Sequence, residues 1–190
     1  VIDYTSGSLS LWAKTDITTT NRAFFASFID SSNYISLFYG HSNNEIKLNY
    51  RGGGATKTVN TTDVIEGDGL WHHIVVSWDV SGDLLSLYLD GVLKVTSSIG
   101  NNANSGQYFL GNIDEVSLFN LELTASQVTT LYNDGLPYTV AADTGLIGWW
   151  RMGDGGIIGN PIATFPTIPD DSTNNNDGTM TNMTSTDFEA

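Results

Sequence analysis

The chain has 190 residues, of which 40% are hydrophobic, enough for one all-β domain of the larger kind with a sizeable core. Against 7 basic residues stand 21 acidic ones, a formal charge of -14, which disfavours nucleic acid and anionic lipid as partners and favours cations such as Ca²⁺. Cysteine is absent, so no disulfide frames the fold, and no stretch is long and apolar enough for a membrane helix.

The chain opens on "VIDYTSGS" without an initiator Met or a signal peptide and stops at "DFEA", as an excised piece of a longer protein would. Period-two alternation then recurs along it. In "SLSLWAK" the residues Leu9, Leu11 and Ala13 share one face. "FFASFI" and "YISLFY" are apolar on both faces and are expected as interior strands. In "EIKLNY" the residues Ile46, Leu48 and Tyr50 oppose Glu45, Lys47 and Asn49. "GLWHHIVVSWD" sets Trp71, His73 and Val75 on one face and His72, Ile74, Val76 and Trp78 on the other. "SLYLDGVLKV" is a hairpin in which Asp90-Gly91 supplies the two positive φ angles of a type I′ turn. Turn clusters such as "DSSN", "EGDG" and "GNNANSG" separate about ten short strands, the pattern of an antiparallel β-sandwich or jelly roll.

One helix is predicted in "LELTASQVTTLYNDG". Thr124 and Gln127 form a capping box, Leu123 and Val128 a hydrophobic staple, and Val128, Leu131 and Tyr132 an apolar stripe, with Gly135 as the C′ residue. Residues 1–136 are expected to be the main sandwich and 137–145 a connector. Residues 146–190 then supply the strand "LIGWW", a long polar loop, and a closing strand at "GTMTNMTS".

Three stretches resemble one family. They are "GLWHHIVVSWDVSGDLLSLYLDGVLKV", "GNIDEVSLFNLELTASQVTTLYNDG" and "GLIGWWRMGDG…DSTNNNDGTMTN". Together they resemble the laminin-G-like, concanavalin A-like jelly roll of lectins and glucanases, a fold that hosts lectins, enzymes and adhesion modules alike. The third stretch normally opens such a domain and here comes last. Circular permutation within a single domain 1–190 explains this, since Trp149 and Trp150 otherwise lack a core. A second truncated copy, or a strand lent to a neighbouring subunit, are the alternatives. Permuted domains of similar style occur in tail and surface proteins of marine phages.

In the family, the Trp-His-His stretch packs against a neighbouring loop, so His72 and His73 are expected to be structural. The glucanases carry an E-x-D-x-x-E type motif that sets alternate carboxylates on one strand face, and this sequence has none. "EGD" at Glu66–Asp68 stands in a turn without a third acid. Catalysis is therefore not expected. In register with Val116 and Leu118, Asp114 is expected to point inward, with Glu115 on the opposite face; a buried carboxylate needs a cation or several N–H donors. The resemblance implies a structural Ca²⁺ held by Asp114 and Asp154, with Glu115 as a weaker third ligand. Aromatic and amide side chains suited to sugars occur at Tyr34, Tyr39, His41 and Tyr50, and in the loop with Asn101, Asn102, Asn104 and Tyr108. The expectation is a non-catalytic adhesion or carbohydrate-binding module of an extracellular or virion surface protein, with a glycan or surface polysaccharide as partner. A structural virion or fibre subunit that partners copies of itself or other virion proteins is the alternative, and a glycoside hydrolase or lyase a third.

Overall fold

The computed structural model describes residues 4–15, 22–40, 45–52, 55–63, 65, 68–97, 112–136, 138–140, 143–152 and 167–179. Two antiparallel sheets face each other. One has six strands, in the order β10-β9-β1-β6-β7-β8: β1 (Ser6–Lys14), β6 (His72–Asp79), β7 (Leu84–Leu89), β8 (Val92–Ser97), β9 (Asn112–Phe119) and β10 (Leu146–Trp150). The other has four, in the order β2-β3-β4-β5: β2 (Arg22–Asp30), β3 (Asn33–Gly40), β4 (Glu45–Gly52) and β5 (Ala55–Thr61). Two short strands, β11 (Thr167–Ile168) and β12 (Gly178–Thr179), pair only with each other. Of the closing strand expected at "GTMTNMTS", Gly178–Thr179 forms β12, outside the main sheets; the residues after it lie outside the described ones.

Alternation builds the core. Leu9, Leu11, Ile74, Val76, Trp78, Leu85, Leu87 and Leu118 project from the six-stranded sheet, and Ile35, Leu37, Ile46, Leu48 and Val59 from the four-stranded one, into a single buried cluster. Each large aliphatic side chain so covered contributes about 1.5–3 kcal/mol. The six-stranded sheet is also covered on its other face. There Val75, Tyr88, Phe119 and Trp149 pack with Leu123, Val128 and Leu131 of the helix α1 (Ala125–Tyr132) and its approach. The capping box is present, with the Gln127 N–H donated to Thr124 Oγ1 and the Thr124 N–H to Gln127 Oε1. The staple residues Leu123 and Val128 are both buried.

Three expectations are corrected. First, β2 is an edge strand rather than an interior one. Its double-sided apolar texture comes from a register shift between Ala23 and Phe25, which lets Phe24 and Phe25 both reach the core. Second, the helix stops earlier than Gly135: Asn133 takes the left-handed C-cap conformation, and a 3₁₀ turn over Asn133–Gly135 follows. Asn tolerates that conformation because its short side chain hydrogen-bonds locally. Third, β9 carries a bulge, whose consequence for Asp114 is described below. Among the described residues, no helix is long and apolar enough to cross a membrane.

Candidate functional site

The two histidines have separate structural tasks. His72 lies where β6 begins, and its two ring nitrogens are 2.9 Å from Asp68 Oδ2 and Asp90 Oδ2. Asp90 Oδ1 also accepts the His73 N–H, which ties the β7–β8 turn to β6. Its hydrogen bond with Asp90 raises the His72 pKa above the usual imidazole value, assisted by Asp68 and opposed by burial. His73 is buried under α1, with Nε2 at 2.8 Å from Ser10 Oγ and its ring in a mutual cluster with Trp12 and Tyr132, the three centroids 5.0–6.1 Å apart. Burial lowers its pKa to about 4, so it is neutral at pH 7.

Asp114 is buried at 2% exposure, but it does not point inward. Between Ser10 and Trp12 the pairing of β1 with β9 shifts, so that Glu115 and Val116 oppose Leu11 alone. The extra residue reverses the phase. Asp114 pairs with Trp12, which stacks on Tyr132 of α1, and so shares the helix-covered face. Its Oδ1 accepts the Glu115 N–H at 2.9 Å. Glu115 is the bulge residue, at φ 50°, and its side chain is buried. Oε2 accepts the Trp149 indole N–H at 2.7 Å, and Oε1 lies 3.6 Å from Arg151 Nε. Burial raises the Glu115 pKa, while the indole donor and Arg151 oppose that rise. Among the described residues, no three acids or histidines converge as metal ligands. Glu115 is committed to an indole and a guanidinium. Asp154 lies outside the described residues.

An unforeseen carboxylate organises the polar loop. Asp170 is buried and accepts the backbone N–H groups of Trp149, Ser172 and Asn176 at 2.7–2.9 Å, together with the Ser172 hydroxyl at 2.9 Å. These donors outweigh its burial and lower its pKa. The loop is a backbone-amide cradle that docks on β10, and its Asp-Ser-Thr-Asn run is used for that purpose.

The sugar-platform residues divide. Tyr39 and Tyr50, at 1% and 0% exposure, are core residues, because period two keeps them in phase with Leu37 and Leu48. The Tyr50 hydroxyl donates to the Tyr4 carbonyl. Neither can meet a sugar. His41, Asn101, Asn102, Asn104 and Tyr108 lie outside the described residues. Tyr34 does face outward, and it leads to a surface that no single residue announced.

That surface is the outer face of the four-stranded sheet. Along β3 it reads Tyr34, Ser36, Phe38, and directly opposite on β4 stand Arg51, Asn49, Lys47. β5 adds Thr58 and Asn60 opposite Asn49 and Lys47. In the middle row Thr58 Oγ1 donates to Asn49 Oδ1 at 2.7 Å, and Asn49 Nδ2 donates to Ser36 Oγ at 3.4 Å. On one side Lys47 Nζ lies 5.5 Å from the Phe38 ring centroid and pairs with Glu45, whose Oε2 also accepts from Asn60 Nδ2 at 2.7 Å. On the other side Phe28 of β2, 64% exposed, stacks on Tyr34 beside Arg51. Asn49 is itself buried at 3% exposure, so the face offers aromatic rings flanking the half-buried Ser36 and Thr58 hydroxyls that Asn49 holds in place, the chemistry that holds a polyhydroxylated ligand. Alternation in "EIKLNY" set Glu45, Lys47 and Asn49 on the outer side, but only Lys47 of the three is open to solvent there, since Glu45 and Asn49 are buried. What the sequence did not display was the cross-strand register that brings β3 against β4.

A family profile described as the concanavalin A-like lectin/glucanases superfamily matches residues 2–129. The chain belongs to this superfamily. Among solved structures, a candidate carbohydrate binding protein of Bacteroides ovatus superposes with a TM-score of 0.65 at 18% identity, covering 93% of this chain and 52% of that one. Domain 4 of the extracellular arabinanase AbnA of Geobacillus stearothermophilus, solved in complex with arabinotriose, superposes with a TM-score of 0.54 at 27% identity, covering 67% of this chain and 66% of that one. A curated relative, the Sushi, von Willebrand factor type A, EGF and pentraxin domain-containing protein 1 of Rattus norvegicus, is 28% identical over 100 aligned positions, covering 41% of this chain. The match spans only 3% of that relative's length. Within the superfamily fold, the sandwich and the presence of a capped helix after β9 are as the sequence resemblance implied.

Proposed function

We propose that this chain is a non-catalytic carbohydrate-binding module of an extracellular or virion surface protein, and that it holds its glycan on the outer face of the β2–β5 sheet. The observation that carries this reading is the Ser36–Asn49–Thr58 ladder, fixed by its own hydrogen bonds between two aromatic–cation pairs. A preformed polar row beside ring faces binds sugar without ordering costs. The arabinanase domain solved with arabinotriose and the Bacteroides protein support the reading. Residues 1–190 act in it as one domain. Support for that comes from the antiparallel pairing of β10 with β9 and from an alignment that covers 93% of the chain.

A glycan array probed with the wild type and with Ser36→Ala, which removes an outward hydroxyl of the ladder, tests the proposal. The wild type retains one class of glycan, and the variant, with an unchanged circular dichroism spectrum, binds it about tenfold or more weakly, the loss of one or two hydrogen bonds. Wild-type protein that retains no glycan, or a variant that binds as well as the wild type, sinks it.

A further inference from the structure

The proposed glycan face is also the electrostatic exception of the molecule. On its outward phase β4 carries Lys47 and Arg51 against Glu45, a net +1 within a chain of -14, while Arg22 and Lys57 stand opposite the core residues Tyr39 and Tyr50. The two outward cations are not equivalent. Lys47 is neutralised by Glu45. Arg51 has no carboxylate at ion-pair distance among the described residues. Its Nε is covered and has no hydrogen-bond partner, and the hydroxyl of Tyr34, its cross-strand partner, is likewise covered and without one. Two orphaned polar groups on one cross-strand pair are costly, because each forgoes its bond with water. Asp30, at the β2–β3 turn, is occupied by the Ser32 N–H and the Asn33 amide. Its field reaches Arg51 only weakly, as the last of the causes that lower its own pKa. Phe28 closes the other side as a ring platform stacked on Tyr34.

Resting on the glycan reading above, we infer that the Phe28–Tyr34–Arg51 corner is an anionic subsite that seats the carboxylate of a uronic-acid residue. The planar guanidinium donates a two-pronged hydrogen bond to the carboxylate through its terminal nitrogens, and the Phe28 ring, stacked on Tyr34, lies under the pyranose. The Ser36 and Thr58 hydroxyls then hold the next residue along the strand, and Lys47, already paired, is the lesser contributor. A uronate polymer would reach a locally basic sheet on an otherwise acidic module, which orients the approach so that this face leads.

Titration calorimetry of the full chain against oligogalacturonate, oligoglucuronate and oligomannuronate, each beside its methyl ester and a neutral arabinan oligosaccharide, tests the inference. At least one free acid binds ten times or more tightly than its ester, and its affinity falls as salt rises. Arg51→Gln removes the difference between acid and ester; Lys47→Gln keeps it. Acid and ester that bind alike, or a neutral oligosaccharide that binds best, overturn the anionic subsite and leave the glycan reading standing. Tighter binding of sulfated oligosaccharides than of any uronate overturns the carboxylate assignment. No binding to any oligosaccharide defeats both readings. Matching melting curves for the wild type and both variants show that folding is not the cause.

Discussion

His73 shows how a residue that looks like chemistry is made into scaffold. Its ring is enclosed by Trp12, Tyr132 and Ser10, and its folded pKa of about 4 lies well below the ordinary value of 6.5. Between those two values the unfolded chain takes a proton that the folded chain refuses, so stability falls as pH falls from about 6.5 to about 4. By pH 5 the loss from this one group is about 2 kcal/mol. His72 runs the other way. Its pKa is raised by Asp90 and Asp68, so its contribution is full below 6.5 and is lost as pH rises through the folded value. Gln at position 73 keeps a polar group for Ser10 but cannot titrate. Thermal unfolding of His73→Gln at pH 7 and pH 5 should therefore show a smaller acid-side drop than the wild type, whatever the variant's absolute stability. An equal drop would mean that another group, not His73, sets the acid limb. The faces of both histidines could be read from alternation alone. The orientation of Asp114 could not, because one inserted residue at Glu115 reverses the phase and nothing in "NIDEV" marks the bulge: its positive-φ position is held by a glutamate, not a glycine.

At the scale of elements, local chemistry was legible and long-range register was not. The Asp90-Gly91 turn has φ values of 52° and 75°, both positive as type I′ requires. Gly91 has a second constraint, visible only in the fold. A Cβ there would stand 2.8 Å from Tyr132 Cδ1 of α1, so the hairpin tip and the helix are packed through a glycine. Gly69 is the natural control, with φ 73° and no atom within 4 Å of an added Cβ. Gly69→Ala should cost only the backbone strain, about 1 kcal/mol, and Gly91→Ala that strain plus displacement of Tyr132, about 2–3 kcal/mol. For a chain of this size the difference is a few degrees in melting midpoint, which calorimetry resolves. Equal midpoints for the two variants would show that Tyr132 moves away at no cost and that the tip does not brace the helix. The outer-face site belongs to the same category of long-range information. Each of its strands was identifiable, yet the pairing of Tyr34 with Arg51 depends on the loop between β3 and β4 and is set only when the strands meet.

For the molecule as a whole, the decisive question is how residues 146–190 belong to the sandwich. β10 lies at the edge of the six-stranded sheet, beside β9, with Trp149 in the helix-covered core and Trp150 against the core between the sheets. The indole of Trp149 donates to the buried Glu115, and the Asp170 cradle pins the strand from outside through the Trp149 N–H. Deleting residues 146–190 would uncover Val116, Phe119 and Leu118 along β9. It would also leave the Glu115 carboxylate buried without its indole and guanidinium partners, a loss of several kcal/mol from a total stability usually no larger than 15. The truncated chain should therefore lose its cooperative thermal transition, or melt more than ten degrees lower, and size-exclusion light scattering should show it aggregating through the exposed edge of β9. A truncated monomer with the wild-type midpoint would break the single-domain reading and make the last 45 residues the start of another unit. A truncation that left the midpoint intact but abolished an oligomer present in the full chain would show that β10 is lent between subunits. In that case the pairing of β10 with β9 within one chain and between chains would be the same set of hydrogen bonds, and only the connector at 137–145 would decide which chain supplies the strand.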